Sequence, residues 1–238
     1  MSVLVCSVMS RSYLSTLMLV KWTRQAGFSQ IEFPFVEMTS QEEKRLPTLL
    51  SSLGASVYSV HAPKQLFSLS TAQCMTQLQA TIQFARNLGA KVIVAHPGTQ
   101  NVRLIARPLH SLQKDFPGLI LAFENTTPQV THWIQQLRDV LPCGLALDCS
   151  HAQYLQTAFD EYFRLPVVHI HLRGYSPTSH YQRMHPTDNG IAALLAVCKA
   201  HGYSGAYTLE YPYNSPGDIV QDRTIVVNLL QSAGIDPS

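Results

Sequence analysis

Residues 145–152 read LALDCSHA: the apolar run Leu145, Ala146, Leu147 halts at Asp148, and His151 follows three positions later. A strand built for burial gains nothing from ending in a carboxylate, because taking an uncompensated charge out of water is costly. The same punctuation recurs on both sides. SVYSVHA (56–62) reaches His61, KVIVAH (91–96) stops at His96, and LILAFE (119–124) stops at Glu124. VVHIHL (167–172) carries His171 late, and GAYTLEY (205–211) carries Glu210 late. With SVLVCSV (2–8), QIEFPF (30–35) and GLALDC (144–149), the chain offers eight short strands.

Between the strands, segments such as 72–88 and 129–140 place apolar residues at i, i+3, i+4 and i+7, the stripe of a helix lying on a sheet. Gly27, Gly54, Gly89, Gly118, Gly144 and Gly202 fall between a helix and the next strand, where a left-handed residue is expected to end the helix. Near-continuous apolar strands joined by helical crossovers imply a parallel sheet. Eight such units, with no G-x-G-x-x-G after the first strand, favour an α/β fold of the (β/α)8 TIM-barrel type over a doubly wound sheet, with one domain over residues 1–238.

One alternation phase fits six of these strands. If His61, His96, Glu124, Asp148, His171 and Glu210 face inward, so do the residues two before each of them: Ser59, Val94, Ala122, Ala146, His169 and Thr208. Most of these are small, as a narrow barrel interior requires. The intervening Val60, Ala95, Phe123, Leu147, Ile170 and Leu209 are all apolar and suit the layer beneath the helices. Three imidazoles and three carboxylates then meet at the C-terminal mouth, where barrel enzymes carry their active sites. Two carboxylates ~5 Å apart at an effective dielectric of about 20 repel by roughly 3 kcal/mol, so something neutralises them. Protonation, a basic partner and a bound cation all would. No Lys or Arg stands at a matching strand end, although Lys64 and Arg173 follow in the loops. Imidazole mixed with carboxylate is the ligand chemistry of Zn²⁺, Mn²⁺ and similar divalent ions. Glu32, alternating with Ile31 and Phe33, is a seventh candidate, placed either in the mouth or on its rim. His110, His132 and His201 fall on helices or their ends and are read as surface residues.

Composition narrows the partners. The formal charge is only +2, with 13% charged residues and no block of like charge, so the chain lacks the basic face that neutralises a nucleic-acid backbone. The five cysteines form no C-x-x-C and no repeated spacing, which suits reduced thiols in a cytoplasmic protein. Near the N-terminus, Ser10, Arg11 and Ser12 interrupt the apolar character before it reaches the length of a membrane span.

IEFPF, VHAP, VAHPG, AFENT, LDCSHA, HIHLRG and TLEY, in this order, make the chain resemble the xylose-isomerase-like barrel superfamily, which includes sugar and sugar-phosphate isomerases and epimerases and the endonuclease IV group (AP endonuclease family 2). In its ketose epimerases, the resemblance implies, Glu124, Asp148, His171 and Glu210 hold one divalent metal, Zn or Mn, while Glu124 and Glu210 exchange a proton with the sugar. His151 is then expected beside the metal or the substrate. Members like endonuclease IV add His61 and His96, which with Glu124 would hold a second ion. Their third site uses a D-x-H pair after strand seven. SHYQRMHPTDNG (179–190) has Gln182 and Met184 there instead. His185 could fill that role by a one-residue shift, His180 more weakly, and Arg183 could contact a substrate oxygen or phosphate. The resemblance thus implies a metal-dependent sugar or sugar-phosphate isomerase or epimerase, with a metal-dependent phosphoester hydrolase using one to three ions as the alternative. Many barrels of this kind form homodimers.

Overall fold

A computed structural model of the chain describes residues 2–8, 13–35, 40–99, 102–112, 117–177 and 179–236. The strands are β1 (Val3–Ser7), β2 (Gln30–Pro34), β3 (Ser56–His61), β4 (Val92–Ala95), β5 (Ile120–Glu124), β6 (Cys143–Asp148), β7 (Val167–Leu172), β8 (Gly174–Ser176), β9 (Ser179–Gln182) and β10 (Ala206–Leu209). Eight of them close a barrel in the order β1, β10, β7, β6, β5, β4, β3, β2, every pairing parallel. The fold is a (β/α)8 barrel. β8 and β9 form a separate antiparallel hairpin directly after β7 that the alternation pattern does not reveal.

The helices are α1 (Tyr13–Gln25), α2 (Ser40–Ser52), α3 (Thr71–Asn87), α4 (Val102–Ser111), α5 (Val130–Leu137), α6 (Cys149–Tyr154), α7 (Phe159–Tyr162), α8 (Asn189–Ala200) and α9 (Pro216–Ser232). No helix among the described residues is long and apolar enough to cross a membrane. All five cysteines are free thiols.

Two apolar layers separate as the alternation requires. Val60, Ala95, Phe123, Leu147, Ile170 and Leu209 belong to the large cluster between barrel and helices. Val92, Val94, Ala122 and Ala146 form a small cluster of their own, with Tyr58 and Val168 packed against it. Breaks in register between Ile31 and Glu32 and between Leu145 and Ala146 skip Tyr58 and Val168 in the pairing. A one-residue slip moves a side chain to the other face, which is how these two large residues reach the small inner cluster.

Five of the six expected helix-ending glycines have positive φ, and Gly144 does not. Gly144 lies inside β6, where a Cβ would stand 2.6 Å from Pro166 O and 2.7 Å from Val168 Cγ1. The neighbouring strand approaches too closely for any side chain, so this glycine is explained by packing between strands rather than by a turn.

Candidate metal and catalytic centre

The strand ends converge. His61 ends β3, Glu124 ends β5, Asp148 ends β6, His171 is the last residue but one of β7, and His96 and Glu210 directly follow β4 and β10. One donor atom from each of Glu124, Asp148, His171 and Glu210 lies within 4.8 Å of all the others. His61, His96 and Glu124 make a second such group. Glu124 is shared: His96 Nε2 is 2.7 Å and His61 Nε2 3.7 Å from Oε2, while His171 Nδ1 is 3.5 Å and His151 Nε2 3.8 Å from Oε1. His96 and His151, 19% and 18% exposed, are the imidazoles of the cup that solvent reaches.

Asp148 answers for both halves of LALDCSHA. Its Oδ1 accepts from the His151 backbone N–H at 2.8 Å and from Ser150 Oγ at 2.9 Å, capping α6 and fixing the helix that carries His151. Its Oδ2 turns to the cup. The strand end is held by Asn125, whose Oδ1 accepts from Asp148 N at 2.6 Å and whose Nδ2 donates to Asp148 O at 3.0 Å. Asn125 is fully buried, and its position directly after Glu124 in AFENT was the only sequence signal for it.

Glu32 turns inward, as one of its two alternatives required, wholly buried and in register with Ser59, a layer below the mouth. It accepts from Ser59 Oγ at 2.9 Å, and its Oε2 is 3.3 Å from Nε2 of both His169 and His171. A carboxylate only accepts, so His171 presents N–H on Nε2 to Glu32 and leaves Nδ1 facing Glu124 and Glu210, the latter at 3.2 Å, while His169 Nε2 bonds Thr208 Oγ1 at 2.8 Å.

Two residues expected at the substrate are engaged elsewhere. The Arg183 guanidinium pairs with Asp218 at 2.6 Å and the buried Asp222 at 2.7 Å, tying the strand after the hairpin turn to α9. A guanidinium satisfied by two carboxylates has no reason to leave them. His185 is exposed and bonds Thr187 Oγ1 at 2.8 Å, so it brings no ligand to the cup. The His180 side chain lies outside the described residues. Among the described residues, then, the 173–190 segment does not complete a third metal site.

Arg173, which the sequence offers as a possible basic partner from the loop after β7, folds back into the cup and is 1% exposed, with Nη2 2.7 Å from Asp148 Oδ2. Burial pushes the Glu124 carboxyl up, yet the charge on His96 and hydrogen bonds from His171, His61 and His96 outweigh it and hold Glu124 well below the usual carboxylate range. Glu210 is likewise opposed by burial but is brought down to about 2, by the His171 charge and then Arg173. Asp148 stays above its ordinary value because burial, seconded by Glu124, exceeds the pull of Arg173. Burial disfavours protonation of His171, but Glu32 and Glu210 hold it well above the ordinary imidazole range.

The donor set fits a divalent cation. His171 Nδ1 is buried with no aligned hydrogen bond, and it converges within 4.8 Å with Glu124, Asp148 and Glu210, the last two of which also face Arg173. Donors about 2.1 Å from a shared ion lie roughly 3–4 Å apart, within that spread. One imidazole with three carboxylates suits Mn²⁺, Mg²⁺ or Zn²⁺.

A closed parallel barrel with acids and imidazoles gathered at its C-terminal mouth is the architecture of a barrel enzyme superfamily. The model of the xylose isomerase-like TIM barrel family matches residues 20–227, and the chain belongs to that family. No curated protein matches the sequence significantly. Among solved structures, L-ribulose 3-epimerase is 18% identical with a TM-score of 0.76, covering 98% of this chain and 96% of its own. A xylose isomerase-like TIM barrel protein from Mycobacterium smegmatis, in complex with magnesium, is 13% identical with a TM-score of 0.66, covering 92% and 89%. AP endonuclease, family 2, from Brucella melitensis is 13% identical with a TM-score of 0.70, covering 94% and 99%. At these identities the likeness is one of fold.

Proposed function

We propose that the protein is a divalent-ion-dependent isomerase or epimerase of a small sugar or sugar phosphate, with Glu124 and Glu210 as its acid–base pair. The observation that carries this reading is the convergence of Glu124, Asp148, His171 and Glu210 on one point at the barrel mouth. The likeness to L-ribulose 3-epimerase supports it. A bound ion would polarise a substrate carbonyl and so acidify the neighbouring C–H. The surroundings hold both Glu124 and Glu210 low, so either carboxylate can take the carbon proton, while the other would return one that it has first drawn from solvent. His96 and His151, the imidazoles that solvent reaches, would meet the substrate hydroxyls. Asp148 and His171 would hold the ion.

In the test, Mn²⁺-loaded protein is incubated with a panel of ketoses and ketose phosphates in deuterium oxide, and label at the carbon next to the carbonyl is read by NMR. Ion-dependent incorporation supports the reading; its absence across the panel, with label also missing from the products, goes against it. A second reading, phosphoester hydrolysis, is favoured by the His61, His96, Glu124 group, which offers ligands for another ion. Cleavage of an abasic-site mimic, with two or more ions per chain, would support that reading instead.

Glu32 has a positioning role here. A carboxylate behind a ligating imidazole fixes its tautomer and raises its basicity, and losing such a partner costs about 10–100-fold in metal affinity. Glu32→Gln keeps the shape and is expected to weaken Mn²⁺ binding by about that factor in calorimetric titration. Unchanged affinity in a folded variant would remove Glu32 from this role.

A further inference from the structure

The carboxylate cup already contains a cation. Arg173 Nη2 lies 2.7 Å from Asp148 Oδ2 and 4.0 Å from Glu124 Oε1, and Nη1 lies 3.4 Å from Glu210 Oε2. Its Nε donates to Ser150 Oγ at 2.7 Å, and Ser150 Oγ donates to Asp148 Oδ1 at 2.9 Å. The backbone is fastened as well, with Cys149 Sγ 3.3 Å from Arg173 N and 3.0 Å from Arg173 O. A guanidinium cannot release its proton, so this positive charge is permanent.

The charges at the mouth constrain what else can enter. Glu124, Asp148 and Glu210 bring three negative charges, and Glu32 is met in the layer below by Ser59 and two imidazoles. With His171 neutral, as a ligating imidazole must be, one divalent ion and one guanidinium match those three. Beside Arg173 a second divalent ion would leave two positive charges in excess, against one without the guanidinium, and each pair of unit charges 4 Å apart repels by about 4 kcal/mol at an effective dielectric of 20. We propose that Arg173 is the fixed counter-ion of this cup, standing in for a second metal and limiting the chain to a single divalent ion. His96, 2.7 Å from Glu124 Oε2, then serves Glu124 as a hydrogen-bond donor rather than as a ligand. This rests on the reading that the cup holds an ion.

The experiment counts ions in the full-length protein by elemental analysis after loading with Mn²⁺ or Zn²⁺ and dialysis, and follows thermal unfolding with and without chelator. The wild type is expected to hold one ion per chain. Arg173→Met, which keeps the length and removes the charge, is expected to hold two. In chelator it should melt roughly 10 °C lower than the wild type, since removing one partner of a buried ion pair is strongly destabilising, and the added ion should restore most of that loss. Arg173→Lys should keep a single ion. Two ions in the wild type, a single ion in Arg173→Met, or equal melting of the two proteins in chelator overturns the proposal. If Arg173→Met does not fold, the wild-type and Arg173→Lys counts decide. A wild type that takes up no ion instead defeats the reading on which the proposal rests.

Discussion

Glu124→Gln in ion-loaded protein is expected to keep the fold and to lose exchange of the substrate C–H with solvent deuterium, turnover falling by about 10²–10⁴-fold. The fold should survive because the amide keeps the volume of the buried side chain and can still accept from His96, now 2.7 Å from Oε2. Proton transfer should not survive, because an amide oxygen is too weak a base to take a proton from carbon. Glu210→Gln should lose turnover to a similar degree. The glutamates differ in surroundings: four imidazoles lie within 4 Å of Glu124, whereas Glu210 is bracketed by His171 and Arg173. The glutamine at 210 would therefore also disturb Arg173. Ion content measured on both variants separates lost ligation from lost proton transfer. Wild-type exchange in folded, ion-loaded Glu124→Gln would remove Glu124 from the acid–base pair.

What the sequence disclosed follows from what strand alternation controls. It sets the face of each short, rigidly attached side chain, and so Glu124, Asp148, His171, Glu210, His61 and His96 could be assembled from spacing alone. It does not set where a long side chain ends. Arg173 and Arg183 both follow β7, where spacing offers the first only as a loop residue near the acids and the second as a substrate contact. Arg173 turns back into the acids it can neutralise, and Arg183 turns away to Asp218 and Asp222, a choice decided by acids far off in sequence.

Depth was equally hidden. Alternation allowed Glu32 to face inward, but the break in register beside it sets it opposite Ser59, below the mouth. Asn125 was missed for a related reason: its work is to bond the backbone of the next strand, which leaves no pattern in a single segment. Gly144 shows the same limit, since the sequence gives a glycine's place but not the strand pressing on it.

Gly98→Ala is expected to be the most destabilising conservative substitution near the site, costing about 3 kcal/mol or more. Gly98 follows His96 and Pro97, and its φ is outside the left-handed region, so the cost is steric alone. A Cβ there would stand 1.6 Å from Phe67 O and 2.1 Å from Phe67 C, both backbone atoms. Phe67 cannot retreat: it is 1% exposed, in a 3₁₀ turn, with its ring 5.4 Å from that of Phe123 and 5.2 Å from that of Trp133. The strain should fall instead on the segment that carries His96. In thermal unfolding the variant should melt about 6–12 °C below the parent. Gly89→Ala provides the comparison, because Gly89 has φ +69° with nothing within 4 Å of a Cβ. That change should cost only the about 1–2 kcal/mol of a left-handed alanine. If Gly98→Ala melts no lower than Gly89→Ala, the close approach of Gly98 to Phe67 is not what fixes the loop bearing His96.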